Sequence, residues 1–246
     1  MNPRITFYRR VGKRTLDLVL CVSALILLLP LLLVVALMVR LFLGSPVLYR
    51  QRRSGIHRQS FTILKFRTMT DACDDCGELL PDSARLTRLG RWLRATSVDE
   101  LPELLNVLKG DMSLVGPRPL IPRYDPYYRP NELSRFEAVP GITGWAQVNG
   151  RNELPWEQRF AYDVWYVAHM SLWLDLKILL LTVGKVLGRE KVCVDTTTAF
   201  LSLDVERQRG DSLGNDSSDR LAMRFEPSML AARSGIETAV PAEPQS

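Results

Sequence analysis

From Leu18 to Val39 the chain runs through 22 residues without a charge, broken only by Pro30. As a helix at about 1.5 Å per residue, such a run is long enough to cross the apolar core of a bilayer. A secretory signal would be shorter and would end in a small-residue cleavage site before a mature domain, and neither condition is met. A plain transmembrane anchor is the next simplest reading. Two features weigh against it. A straight span expects one basic and one neutral flank, yet Arg4, Arg9, Arg10, Lys13 and Arg14 precede the run, and Arg40, Arg50, Arg52, Arg53, Arg58, Lys65 and Arg67 follow it. Pro30, in the middle, removes a helix hydrogen bond and favours a kink. A kinked helix that enters one leaflet and returns would bring both basic flanks to the same anionic surface. The expectation is a re-entrant membrane helix over residues 16–43, preceded by a basic segment, residues 1–15.

The charge is unevenly spread. Met1 to Arg67 carries twelve Lys/Arg against the single acid Asp17, whereas the whole chain has a net charge of only +5. Such asymmetry points to an acidic partner near the N-terminal third, either nucleic acid or anionic lipid. The basic residues flank a lipid-length apolar run rather than aromatic strands, so anionic membrane lipid is the expected partner and nucleic acid is not. Cys73 and Cys76 form one C-x-x-C with no second pair, and the chain holds only two histidines, His57 and His169. A structural zinc site needs about four ligands, so the pair reads as a solvated loop of reduced thiols, which suits a cytosolic face.

Downstream, Gly44-Ser45-Pro46 marks a turn. Val47 to Tyr49 and Phe61 to Phe66 have the β-branched and aromatic character of short strands, with Arg50 to Gln59 as a basic connection. Thr70 to Asp82 is polar, acidic and loop-like. Leu86, Leu89, Trp92 and Leu93 share one face of a short helix. Leu172, Leu176, Leu179, Leu180, Val183 and Leu187 trace a second stripe, with Trp165, Tyr166 and Trp173 beside it. Lys177 and Lys185 leave too few uncharged residues between them to cross a bilayer. That stripe fits an interfacial amphipathic helix and a core helix equally well. Beyond about Asp195 no period persists, so residues 195–246 read as a disordered tail. The fold class expected is helix-rich α/β: small strand elements, amphipathic interfacial helices and the N-terminal hairpin, with residues 44–190 as a cytoplasmic catalytic domain.

The densest chemistry lies in Arg94-Ala-Thr-Ser97-Val-Asp99-Glu100-Leu-Pro102. Pro102 is tolerated only in the first turn of a helix, so a helix should begin near Asp99. Ser97 and Glu100 also have capping-box spacing, which by itself explains two acids at a helix start. Their company argues for more. Lys65-Phe66-Arg67-Thr68-Met69 and Gly116-Pro117-Arg118-Pro119 supply cations, and Pro140 to Arg151 is a glycine-rich loop ending in another arginine. Arginine forks suit phosphate oxygens, and glycines let backbone N–H groups approach an anion. Carboxylates among cations suit phosphoryl transfer assisted by a divalent metal, which reverses the repulsion between carboxylate and phosphate.

In this order, the motifs resemble the bacterial sugar transferase family, the monotopic polyprenyl-phosphate phosphoglycosyl transferases. The basic flank, the Pro-broken run, Lys65 to Met69, Thr96 to Pro102, Asn106 to Leu120 and Pro140 to Arg151 carry the resemblance, over about residues 10–190. The resemblance implies transfer of a sugar 1-phosphate from a UDP-sugar to undecaprenyl phosphate with release of UMP, at the inner-membrane cytoplasmic face, as the first step of glycan or exopolysaccharide synthesis. It implies Asp99 as nucleophile, Glu100 as ligand of Mg²⁺, and a re-entrant helix. A carboxylate nucleophile divides the transfer into two steps through an acyl phosphate, and a helix N-terminus would keep Asp99 ionised. Arg118 and Arg151 are assigned to donor phosphate, with Pro117, Pro119 and Gln147 in the same substrate site. Lys65, Arg67 and Arg94 are assigned to orienting the carboxylates or holding the lipid phosphate. A second copy of the chain is a further candidate partner. The competing readings are a glycosyltransferase that releases UDP and a non-catalytic membrane scaffold. Two departures from the family pattern stand out: Pro30 follows Leu29, where a small polar residue is frequent, and Arg58 stands where a glycine is frequent.

Overall fold

The computed structural model describes residues 8–150, 154–188 and 202–212. Met1–Leu201 and Ser202–Ser246 are separate compact units. The first is helix-rich with two small sheets.

A π-helical turn, Tyr8–Gly12, leads into α1, Lys13–Phe42. The apolar run forms one helix through Pro30. Pro30 lacks the N–H that would donate to the Ile26 carbonyl, so one helical bond is lost, but the surrounding leucines are strong helix formers and the backbone continues. Both ends of α1 are anchored. Cys21 joins Ile63, Leu104, Val107 and Met112 in one core cluster, and Val35, Val39 and Leu43 join Phe66 and Leu93 in another. Between them Ile26 and Leu27 are 71% and 79% exposed. A helix of this length and composition can cross a membrane.

Much of the first basic flank is bound by protein. Lys13 Nζ lies 2.6 Å from the buried Asp175, which also accepts from Tyr8 and Tyr166. Arg14 donates to the carbonyls of Val107 and Leu108, and Arg9 to those of Val167 and Ala168. Arg40, Arg50, Arg52 and Arg58 remain exposed.

β1, Leu48–Ser54, pairs antiparallel with β2, Ser60–Phe66, from Leu48 opposite Phe66 to Ser54 opposite Ser60. The sequence placed Arg50 to Ser54 in a loop, but the strand continues through them. Exposed Arg50 and Arg52 alternate with half-buried Gln51 and Arg53, a period of two hidden because both faces carry polar residues. In the connection, His57 and Arg58 both take positive φ, 50° and 61°, which explains why glycine suits position 58. The acidic segment that follows contains a bridge between Cys73 and Leu79, whose cysteines are free and exposed.

α2, Asp82–Arg85, precedes α3, Arg88–Ala95, whose N-cap Thr87 accepts from Gly90 N. Leu93 of the expected stripe is fully buried, whereas Trp92 is half-exposed. α4, Glu103–Lys109, packs on β2 through Asn106, whose Oδ1 accepts from Leu64 N at 3.0 Å while Nδ2 donates to Thr62 O at 2.7 Å. One buried amide thus serves as a neighbouring strand would.

β3, Ser113–Val115, and β4, Gly141–Thr143, form a parallel pair. The segment after Pro140 was expected to be an open glycine-rich loop. It is instead β4 followed by α5, Trp145–Asn149. A Cβ on Gly141 would lie 2.0 Å from Gly116 N, and one on Gly144 would lie 2.2 Å from Gly116 O. These glycines admit a neighbouring backbone, which is why no side chain is there. α6, Trp156–His169, and α7, Leu172–Leu187, complete the unit. α7 buries Leu174, Asp175 and Ile178 in the core, and leaves Trp173 and Leu180 at 80% and 74% exposure. In the second unit, α8, Leu203–Ser212, is helical within the tail read from sequence as largely disordered; residues 195–201 and 213–246 of that tail lie outside the described residues.

Candidate active site

The adjacent carboxylates sit on a short turn just before a helix. Ser97 takes a left-handed backbone, φ 56°, and Val98–Glu100 makes one 3-10 turn. α4 starts only after Pro102. Ser97 forms no side-chain cap, so the capping-box explanation of Ser97 and Glu100 fails. Glu100 has stronger partners: its Oε1 accepts from Lys65 Nζ at 2.6 Å and from Arg118 Nη2 at 2.5 Å. Charge-assisted bonds of this kind outweigh one to a backbone N–H.

Each partner is delivered by a different element. Lys65 comes from β2, opposite Tyr49 of β1. Arg118 comes from the turn after β3, where Gly116 N donates to Thr143 O and Pro117 O accepts from Gly141 N. That backbone is pinned further by Arg135, buried against Asp163 at 2.9 Å, whose Nη2 donates to Arg118 O at 2.8 Å. Pro117 and Pro119 act here as rigid, buried backbone.

Asp99 is 8% exposed, and among the described residues no hydrogen bond or ion pair holds its carboxyl. Burial, and then the charge of Glu100, push it up to about 6 against the pull of Lys65, Arg94 and Arg118. Near neutral pH Asp99 still stays mostly ionised, but the helix terminus does not hold its pKa down, because desolvation and a like charge are stronger here. Glu100 behaves oppositely. Burial alone would raise it, but Arg118 and Lys65 outweigh burial and hold it at about 2. A pair of neighbouring acids pushed apart in this way is suited to two different tasks.

Other expected site residues are placed differently. Arg94 donates from Nε to Thr68 Oγ1 at 3.0 Å and acts on Asp99 only through its charge. Arg67 is occupied by Met69 O, Ser45 O and the Asp71 carboxylate, so the structure uses it to tie the stretch after β2 to the turn before β1. Gln147 lies on α5, and neither its buried Oε1 nor its buried Nε2 has a partner among the described residues. Arg151 lies outside the described residues.

Two neighbours were not singled out from sequence. Arg53 reaches Pro119 O at 3.3 Å and Gln51 Oε1 at 2.6 Å; burial first, then the Arg118 charge, lower its pKa. Glu103 is 1% exposed, with its Oε1 3.2 Å from Lys65 Nζ. Burial and then Glu100 push Glu103 up to about 7. Its spacing of three from Glu100 was the available signal, but a glutamate in a first helical turn is ordinary.

Among the described residues, no three His, Cys, Asp or Glu side chains converge as a ready-made metal cage. Mg²⁺ does not need one, since it commonly takes one or two carboxylates and completes its shell with water and substrate phosphate. Both cations on Glu100 contact Oε1, which leaves Oε2 as a hard oxygen donor beside Asp99. That donor chemistry fits Mg²⁺.

Comparison with known proteins gives a consistent result. Residues 8–189 match the family described as bacterial sugar transferase. The uncharacterized sugar transferase EpsL of Bacillus subtilis is 60% identical over 154 residues, covering 63% of this chain and 76% of that protein. The UDP-glucose:undecaprenyl-phosphate glucose-1-phosphate transferase of Caulobacter vibrioides is 47% identical over 201 residues, covering 75% of this chain and 72% of the relative. A protein of that same description in Escherichia coli is 40% identical over 186 residues, 72% of this chain but 40% of the relative.

Proposed function

The chain belongs to the bacterial sugar transferase family, and on that premise we propose that it transfers a sugar 1-phosphate from a UDP-sugar to undecaprenyl phosphate. The observation that carries this reading is the contrast within the acid pair. Asp99 is buried, without a direct partner among the described residues and raised toward neutrality, while Glu100 is held ionised by two cations. A nucleophile that has no bond to give up needs little reorganisation before attack.

In the first step an Asp99 carboxylate oxygen attacks the sugar-bearing phosphorus of the donor. The new O–P bond forms as the bond from that phosphorus to the bridging oxygen breaks, and UMP leaves with the bridging oxygen. In the second step a phosphate oxygen of undecaprenyl phosphate attacks the same phosphorus. The Asp99 carboxylate departs, and the polyprenyl diphosphate sugar forms. Arg118, 40% exposed along its side chain, would exchange Glu100 for a donor phosphate oxygen, with Arg151 and Gln147 as further donor contacts. Lys65 and Arg94 keep positive charge beside the carboxylates. Mg²⁺ held by Glu100 would screen the diphosphate charge. The product would begin assembly of a bacterial glycan such as an exopolysaccharide.

The same reading puts the enzyme in the inner membrane with residues 44–190 on the cytoplasmic side and α1 re-entrant. Its support is that α1 packs on one domain at both ends while its middle is exposed. A straight span would carry one of those ends across the bilayer. On a cysteine-free background, single cysteines at Val11 and Phe42 should both be labelled only from the cytoplasmic face; labelling from opposite faces would refute the hairpin.

The reaction is tested by incubating purified chain with undecaprenyl phosphate, Mg²⁺ and a panel of UDP-sugars. UMP release is expected with at least one donor, together with a sugar-phosphate adduct on the chain that Asp99→Asn abolishes. Release of UDP in place of UMP would show transfer of the sugar without its phosphate. No nucleotide release from any donor would count against catalysis of this kind.

A further inference from the structure

Lys65 lies between two carboxylates. Its ammonium is 2.6 Å from Glu100 Oε1 and 3.2 Å from Glu103 Oε1, and Arg118 occupies the same oxygen of Glu100 at 2.5 Å. A divalent cation approaching Glu100 therefore meets two positive charges already in place. Arg118 is partly exposed, at 40% of its side chain, and can swing away. Lys65 does not have that freedom: it is mostly buried, and its strand position is fixed by pairing with Tyr49.

Glu103 resolves that conflict. It is 1% exposed, in the first turn of α4, and Lys65 is its cation. Burying a carboxylate with one long contact is costly unless the partner can close on it. We propose that Glu103 is a positioning residue that offers Lys65 a second seat, so that the ammonium can leave Glu100 when Glu100 takes a divalent cation. The shift needed is small, because both carboxylates already lie within 3.2 Å of the same nitrogen. Glu103 acts through Lys65 and touches no substrate. This inference rests on the proposed metal role of Glu100 and deepens it.

The test measures metal binding directly, with Mn²⁺ as the paramagnetic probe and full-length protein in detergent, so that it does not depend on turnover. Glu103→Gln keeps the shape of the side chain but removes the seat. Mn²⁺ binding should weaken about tenfold, as for loss of an outer-shell partner of a metal ligand. The Mg²⁺ concentration for half-maximal UMP release should rise by the same factor, with the donor KM at saturating Mg²⁺ little changed. Glu103→Asp should largely retain wild-type Mn²⁺ binding. In the Glu103→Gln background, Lys65→Met should restore Mn²⁺ binding, because the competing charge is gone. A purely structural Glu103 would instead lower the Tm without moving the Mn²⁺ isotherm, and that result would overturn the proposal. So would failure of Lys65→Met to restore binding, or absence of Mn²⁺ binding by the wild type. An unmoved isotherm or a failed rescue leaves wild-type UMP release untouched, so the reaction is tested separately. Should Glu103→Gln not fold, Glu103→Met, which also removes the seat, carries the same comparison with and without Lys65→Met.

Discussion

At the scale of single residues, the site depends on the unequal environments of Asp99 and Glu100. Asp99 has an ordinary value of 3.8 and is raised to about 6 in the fold. Between those values the folded chain holds a proton that the unfolded chain has released. Its contribution therefore disfavours the fold increasingly as pH rises through that window, and does so fully above it. Asp99→Asn should accordingly raise stability by about 1–3 kcal/mol at pH 8 while eliminating the phosphoenzyme, measured by thermal melts and intact mass. In the wild type, formation of the adduct should fall about tenfold per pH unit below about 6, as the nucleophile becomes protonated. The acid pair was legible in the sequence as two neighbouring letters. Its asymmetry was not, because it depends on Lys65 and Arg118, which are 35 and 18 residues away from Glu100.

At the scale of elements, local backbone demands leave clear marks in the sequence. Arg58 occupies a left-handed position, φ 61°, where a side chain crowds the backbone and glycine does not. Arg58→Gly should stabilise the hairpin by about 1 kcal/mol, read from the denaturation midpoint. Gly141 represents the opposite case. A Cβ there would lie 2.0 Å from Gly116 N and 2.4 Å from Thr143 O, so the β3–β4 pair would have to separate. Gly141→Ala should cost about 3 kcal/mol or more and disturb Arg118, lowering activity in the fraction that still folds. The glycines near residue 140 were readable as a special backbone. Whether they approached an anion or another strand was not readable, since Gly116 lies 25 residues earlier.

At the scale of the whole molecule, a buried polar cluster ties the start of α1 to α7. Asp175 is 1% exposed and takes bonds from Tyr8, Lys13 and Tyr166. Asp175→Ala would leave Lys13 buried without its counter-charge, and should cost about 3–5 kcal/mol. Faster proteolysis of the chain around Tyr8 in detergent would report that loss. The sequence by itself determined the long apolar helix, the helix-rich character, the order of the motifs and the adjacency of the two acids. These are local properties: apolar length, side-chain period and the chemistry of adjacent residues. Only the tertiary structure decided that Arg9, Lys13 and Arg14 bind protein groups, that Arg67 ties segments together, and that Glu103 shares Lys65 with Glu100. Charge is legible in a sequence, but the partner that neutralises it is not. That partner is selected by which elements meet in space, and here the residues concerned lie up to 167 positions apart. The same limit applies to Asp99 and Glu100, whose difference in acidity arises from burial and from cations brought in by β2 and the turn after β3.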